Sequence, residues 1–161
     1  NWSWDKIDNN RIYLDVESRK NSISFRNNMF RLAKQLIQEE DTSRAEEILD
    51  LSLEKMPIEK YGHYGICLSY PELYYRIGKI EKARNVSERL IRIFDERLRY
   101  YAGFNEHYLE AIFDGIERNL NMYRSVLGDA DRFEEDQTYL ATLQSAFVES
   151  IQQFEYLMGE E

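Results

Sequence analysis

Placing Ala45 over Ala83 aligns "LIQEEDTSRAEEILDLSL" with "YRIGKIEKARNVSERLI", a self-similarity at 38 residues that brings Leu36 onto Tyr74, Glu40 onto Gly78, Arg44 onto Lys82 and Ile48 onto Val86. A period in this range marks a supersecondary unit that cannot bury its apolar face alone and is covered by stacked neighbours. Gly78 is suited to the left-handed conformation that ends a helix tightly, and the small side chain of Ala83 lets the returning helix approach closely. The first copy turns through "EEDTSRA" without a glycine and keeps only the alanine.

Around this repeat the apolar residues recur with helical period. Val16, Ile23, Phe30 and Ile37 form a seven-residue stripe, widened by Phe25, Met29, Leu32, Ala33 and Leu36, so the spacing predicts one helix capped by Asp15, with a break near Asn21 and Ser22. Ser43 is expected to cap a second helix that runs through Lys55 and stops at Pro57. "IEKYGHYGICLSY" reads as a loop before a third helix that starts at or before Pro71 and ends at Gly78. A fourth helix is predicted from about Glu81 to Tyr101. The fifth carries Leu109, Ile112, Phe113, Ile116, Leu120, Tyr123 and Leu127, with "GDAD" supplying a glycine stop and an aspartate cap before the sixth. Leu140, Leu143, Phe147, Ile151, Phe154 and Leu157 then draw a near-heptad stripe along the sixth. The expected fold class is therefore all-α, about six helices arranged as antiparallel hairpins: 15–57, 68–101 and a divergent capping pair over 105–158, within one domain of residues 15–161. Residues 1–14, "NWSWDKIDNNRIYL", lack helical period and read as an irregular linker following an upstream region.

Composition narrows the partners. A formal charge of −9 in 161 residues repels phosphate backbones and anionic lipid, which excludes nucleic acid as the expected ligand. The single cysteine, Cys67, allows neither an internal disulfide nor a cysteine-based zinc site. No run reaches the ~20 apolar residues of a membrane span.

Signs of chemistry are sparse. His63 in "KYGHYG" and His107 in "FNEHYLE" have no second ligand at metal spacing, and both read as ordinary surface or loop histidines. Carboxylate doublets such as Glu46-Glu47 and Glu134-Glu135 point about 100° apart on a helix and do not converge on one atom. Phosphate-cradling glycine loops, serine nucleophile elbows and zinc-protease helices are all missing from the sequence. No catalytic, cofactor-binding or metal-binding residue is assigned, and no cofactor is expected. Twelve tyrosines, eight of them between Tyr61 and Tyr108, suit either inter-helix packing or a surface for a peptide or glycan.

Two resemblances add to this reading. Ala33, Leu36, Ala45, Leu49 and Pro57, then Tyr74, Gly78, Ala83 and Leu90, resemble the tetratricopeptide repeat, with departures at Pro71, Asp95 and Phe133. The resemblance implies a right-handed stack of hairpins whose concave side carries Asn27, Lys34, Gln38, Glu72, Tyr75 and Arg76 as the partner-binding groove. "IYLD", "FRNNMFRLAKQLIQEEDTSRAEEILDLSLEKMP", "YY" with "GKIEKA", and "LRYY" look like the C-terminal soluble region of a bacterial polytopic membrane-protein family of unknown function, similar to protein O-mannosyltransferases. That likeness implies a periplasmic appendage that binds protein or peptide, or a glycan, touching the membrane only through an absent N-terminal part. Two alternatives stay open: an accessory substrate-binding part of a glycosyl-transfer enzyme, or a homodimerisation module formed through the sixth helix, the domain then being a monomer or weak dimer.

Overall fold

The computed structural model describes residues 15–152 and Phe154. The described residues form eight helices: α1 (Val16–Gln38), α2 (Thr42–Lys55), α3 (Ile58–Tyr61), α4 (Tyr64–Cys67), α5 (Tyr70–Arg76), α6 (Ile80–Ala102), α7 (Glu106–Phe133) and α8 (Gln137–Gln152). Among these residues there is no strand, and no helix is long and apolar enough to cross a membrane. Two compact units divide the chain after Ala83, in the first turn of α6.

In the first unit the two turns aligned by the sequence repeat share one hydrogen-bond pattern. After α1, the amides of Glu39, Glu40 and Asp41 donate to the carbonyls of Gln35, Ile37 and Leu36. After α5, the amides of Ile77, Gly78 and Lys79 donate to the carbonyls of Leu73, Tyr75 and Tyr74. Every donor and acceptor is displaced by the same 38 positions, and both turns are Schellman closures with a left-handed residue, Glu40 at φ 62° and Gly78 at φ 73°. The next bond repeats as well, Ala45 to the Asp41 carbonyl and Ala83 to that of Lys79. Ala45 and Ala83 are each wholly buried.

Local differences from the sequence expectation have identifiable causes. α2 is capped by Asp41 rather than Ser43: its Oδ1 accepts the Arg44 amide at 3.1 Å, which holds the Asp41 carboxyl below its ordinary range. α1 continues through Asn21 and Ser22, where the Ser22 hydroxyl folds back onto the Arg19 carbonyl at 2.6 Å. The stretch expected to be a loop holds two single-turn helices, α3 and α4, hinged at Gly62 and His63, both at positive φ. The core face of α1 also differs from its seven-residue apolar stripe. Val16, Ile23, Phe25 and Leu32 are exposed, while Arg26, Ala33 and Leu36 are buried. α1 packs most intimately on α2, and the face that allows this is the one bearing the small Ala33.

The tyrosines of α5 complete that core. Tyr70 and Tyr74 are buried, their hydroxyls bonded to Ser52 at 2.7 Å and Asp50 at 2.8 Å on α2, and Phe30 of α1 stacks on the Tyr70 ring at 6.0 Å.

The second unit comprises most of α6 with α7 and α8. Gly115 lets α7 approach the Tyr101 ring of α6, because a Cβ there would meet the phenol oxygen at 3.1 Å. Gly128, expected to stop the helix, lies inside α7, which ends only at Phe133. The stop is tertiary: Arg84 grips Glu134 with two bonds of 2.7 and 2.8 Å, and the Glu134 carboxylate also accepts the amides of Glu135 and Asp136. The guanidinium is the main reason the Glu134 carboxyl titrates at about 2. Asp136 then caps α8 through the amides of Thr138 and Tyr139. Leu140, Leu143 and Phe154, part of the near-heptad stripe, are buried, and Phe147 meets the Tyr123 ring edge-on at 4.9 Å.

Left-handed strain sits on a side chain at Glu40 and on none at Gly78. Glu40→Gly is expected to stabilise the protein by about 1 kcal/mol, and Gly78→Ala, which meets no neighbour within 4 Å, to destabilise it by about 1 kcal/mol through backbone strain alone. Chemical denaturation of the two variants measures both.

Candidate functional site

The six groove residues occupy α1 and α5, and α5 lies against α1. Asn27, Lys34 and Gln38 are exposed; Glu72 is half-buried and bonded to the exposed Arg76 at 2.6 Å; Tyr75 is buried at 8% exposure. At 100° per residue, Val16, Ile23, Asn27, Lys34 and Gln38 fall within about 60° of arc. The exposed apolar pair, Val16 at 52% and Ile23 at 41%, therefore extends the polar stripe along α1.

On α2, Glu46 and Asp50 are already engaged. Lys82 Nζ lies 2.6 Å from both Glu46 and Asp50, Lys79 Nζ is 2.9 Å from Glu46, and Asp50 accepts the Tyr74 hydroxyl on its other oxygen. Hydrogen bonds from the lysines depress the Glu46 carboxyl, and those to Asp50 and Glu46 raise the Lys82 ammonium.

A second polar cluster lies inside the first unit. Arg26 is fully buried, its Nε donating to His63 Nδ1 at 3.2 Å and a terminal nitrogen to the Met56 carbonyl. Because Nδ1 accepts, the His63 proton sits on Nε2 and is donated to the Arg19 carbonyl at 2.8 Å. Burial is the main influence lowering the His63 pKa; the charges of Arg26 and Arg19 act in the same sense, while the Arg19 carbonyl opposes them. The cluster ties α1 to the α3–α4 hinge and leaves no group positioned as a free base. His107 falls where side chains lie outside the described residues. Among the described residues, no group of three or more His, Cys, Asp or Glu is placed to hold a metal ion.

In the second unit a cleft of about 670 Å³ opens between α6, α7 and α8. Its polar lining is Asp95 and Arg99 from α6, Tyr123 from α7, and Glu149, Ser150 and Gln152 from α8. Asp95 receives Arg99 on one oxygen and the Ser150 hydroxyl on the other, and Ser150 also lies 3.0 Å from the Ala146 carbonyl. Tyr123 is wholly buried; its hydroxyl makes no hydrogen bond of ordinary geometry, with the Ser150 hydroxyl as its near polar neighbour. Burial, with the Asp95 charge behind it and the Ser150 hydroxyl acting in the opposite sense, pushes this phenol up to about 12, so it remains a neutral donor and acceptor.

Sequence reading missed the Arg26 and Asp95 clusters. Arg26 was detectable in principle, since it stands seven residues before Ala33 on the same helix face. Asp95 and Arg99 are a visible i,i+4 pair, but Tyr123 and Ser150 reach them from other helices and leave no local signal.

The unfolded chain protonates His63 near pH 6.5, whereas the folded chain resists the proton, so stability is complete above that value and declines as pH falls through it. Melting temperature should drop between pH 7.5 and 5.5, and His63→Gln should flatten that slope. Removing the poorly bonded phenol hydroxyl by Tyr123→Phe is expected to stabilise folding by about 1 kcal/mol in denaturant titration. No family model, curated protein or solved structure matches the chain.

Proposed function

We propose that the helical part of this chain is a non-catalytic, tetratricopeptide-like interaction domain: antiparallel hairpins stacked in a right-handed sense, with the outer stripe of α1 and the adjoining part of α5 receiving a peptide segment of a partner protein. The observation that carries this reading is the pair of turns repeated bond for bond at 38 residues, each followed by a wholly buried alanine. A stripe that combines Val16 and Ile23 with Asn27, Lys34 and Gln38 offers apolar anchors beside polar selectors, the composition of a peptide-binding surface. The side-chain pairs Tyr74 to Asp50 and Lys82 to Glu46 and Asp50 join one repeat to the next, as stacked units require.

The wider setting rests on the resemblance alone. In it, this domain is the soluble C-terminal part of a glycosyltransferase-like bacterial membrane protein and works on the periplasmic side.

Selection of peptides from a displayed library against residues 15–161 tests the binding role. Lys34→Glu and Ile23→Asp should each weaken a selected peptide at least about tenfold, since each removes a contact and introduces a charge or desolvation penalty. Both positions are exposed, so melting temperature should hold. Peptides whose affinity ignores both substitutions would place the binding face elsewhere and remove the proposal.

A further inference from the structure

The cleft of the second unit is lined wholly by residues within 91–152. Three carboxylates act on its guanidinium: Asp95 bonds to Arg99, while Glu149 and Glu96 add their field. Anionic ligands are therefore repelled. Arg99 itself is two-thirds exposed, and an exposed ion pair of this kind is held weakly enough to exchange. Beside it, Tyr123 keeps a buried hydroxyl that makes no hydrogen bond of ordinary geometry and has only the Ser150 hydroxyl near it, and Ser150 can turn from Asp95 to the Ala146 carbonyl without losing its own hydrogen bond.

The first unit shows what a half-buried carboxylate beside a buried phenol accepts. Asp50 takes the Tyr74 hydroxyl on one oxygen at 2.8 Å and the Lys82 ammonium on the other at 2.6 Å. We propose that the cleft between α6, α7 and α8 binds a basic side chain, the guanidinium or ammonium of a partner peptide, which displaces Arg99 from Asp95. In the bound state the incoming cation lies on Asp95 within reach of Glu149. Ser150 turns to Ala146, and the Tyr123 hydroxyl donates to the oxygen that Ser150 released. Binding thus gives the Tyr123 hydroxyl a well-aligned charged acceptor that it lacks in the free protein, and the negative field of the chain draws basic segments toward the cleft.

The test uses the isotope-labelled chain and three capped tripeptides, Gly-Arg-Gly, Gly-citrulline-Gly and Gly-Glu-Gly, followed by amide chemical shifts. The arginine peptide should give saturable shifts at Ile91, Asp95, Ala146 and Ser150, with the citrulline and glutamate peptides at least about tenfold weaker. Asp95→Asn should cost roughly tenfold and Tyr123→Phe a few-fold; if Asp95→Asn loses its native spectrum, Glu149→Gln takes its place with a roughly threefold loss. Arg99→Gln, which removes the internal competitor, should tighten binding about threefold more than Arg118→Gln, which removes the same charge from an exposed site elsewhere. Equal binding of citrulline, shifts spread over the acidic surface, or no difference between Arg99→Gln and Arg118→Gln would each overturn the proposal.

Discussion

Reversal of the chain within three residues, through one left-handed position, is the constraint on which the first unit depends. The closure fixes where the following helix starts, and therefore which of its residues faces back. Because the same bonds close the turn after α1 and after α5, Ala45 and Ala83 arrive at equivalent depth. Both are small side chains without exposure, which lets the helices that carry them pack closely. Tyr70 and Tyr74 then bring large rings to α2 and place their hydroxyls on Ser52 and Asp50, so burial of aromatic area leaves no polar tip unpaired there.

The repeat was legible in the sequence because its determinants are local. Gly78 and Ala83 declare a turn and a close contact, and the turn through Glu40 was recoverable by alignment despite lacking a glycine. The stripe on α1 misled because a seven-residue period accommodates more than one face. Arg26 and Ala33 define the face that is buried, and a buried arginine contradicts simple apolar patterning. Gly128 misled for a related reason: a glycine with open space around it can remain helical, and the end of α7 is decided by Arg84 gripping a carboxylate 50 positions away.

The candidate sites were less legible than the fold. Asn27, Lys34 and Gln38 are on an exposed face, but Tyr75 is committed to the core and Glu72 to Arg76. The cleft of the second unit is assembled from three helices, and its most informative group is a phenol whose lack of a well-aligned hydrogen bond is visible only in three dimensions. Polar satisfaction is a property of the assembled chain, and no periodicity encodes it.

Glu46 and Arg84 stand at the same register in consecutive copies, yet one is acidic and meets Lys79 and Lys82 while the other is basic and meets Glu134. The two turns thus share a backbone and an alanine, while the charge one residue further on is set by what each helix meets: lysines at Glu46, a carboxylate at Arg84.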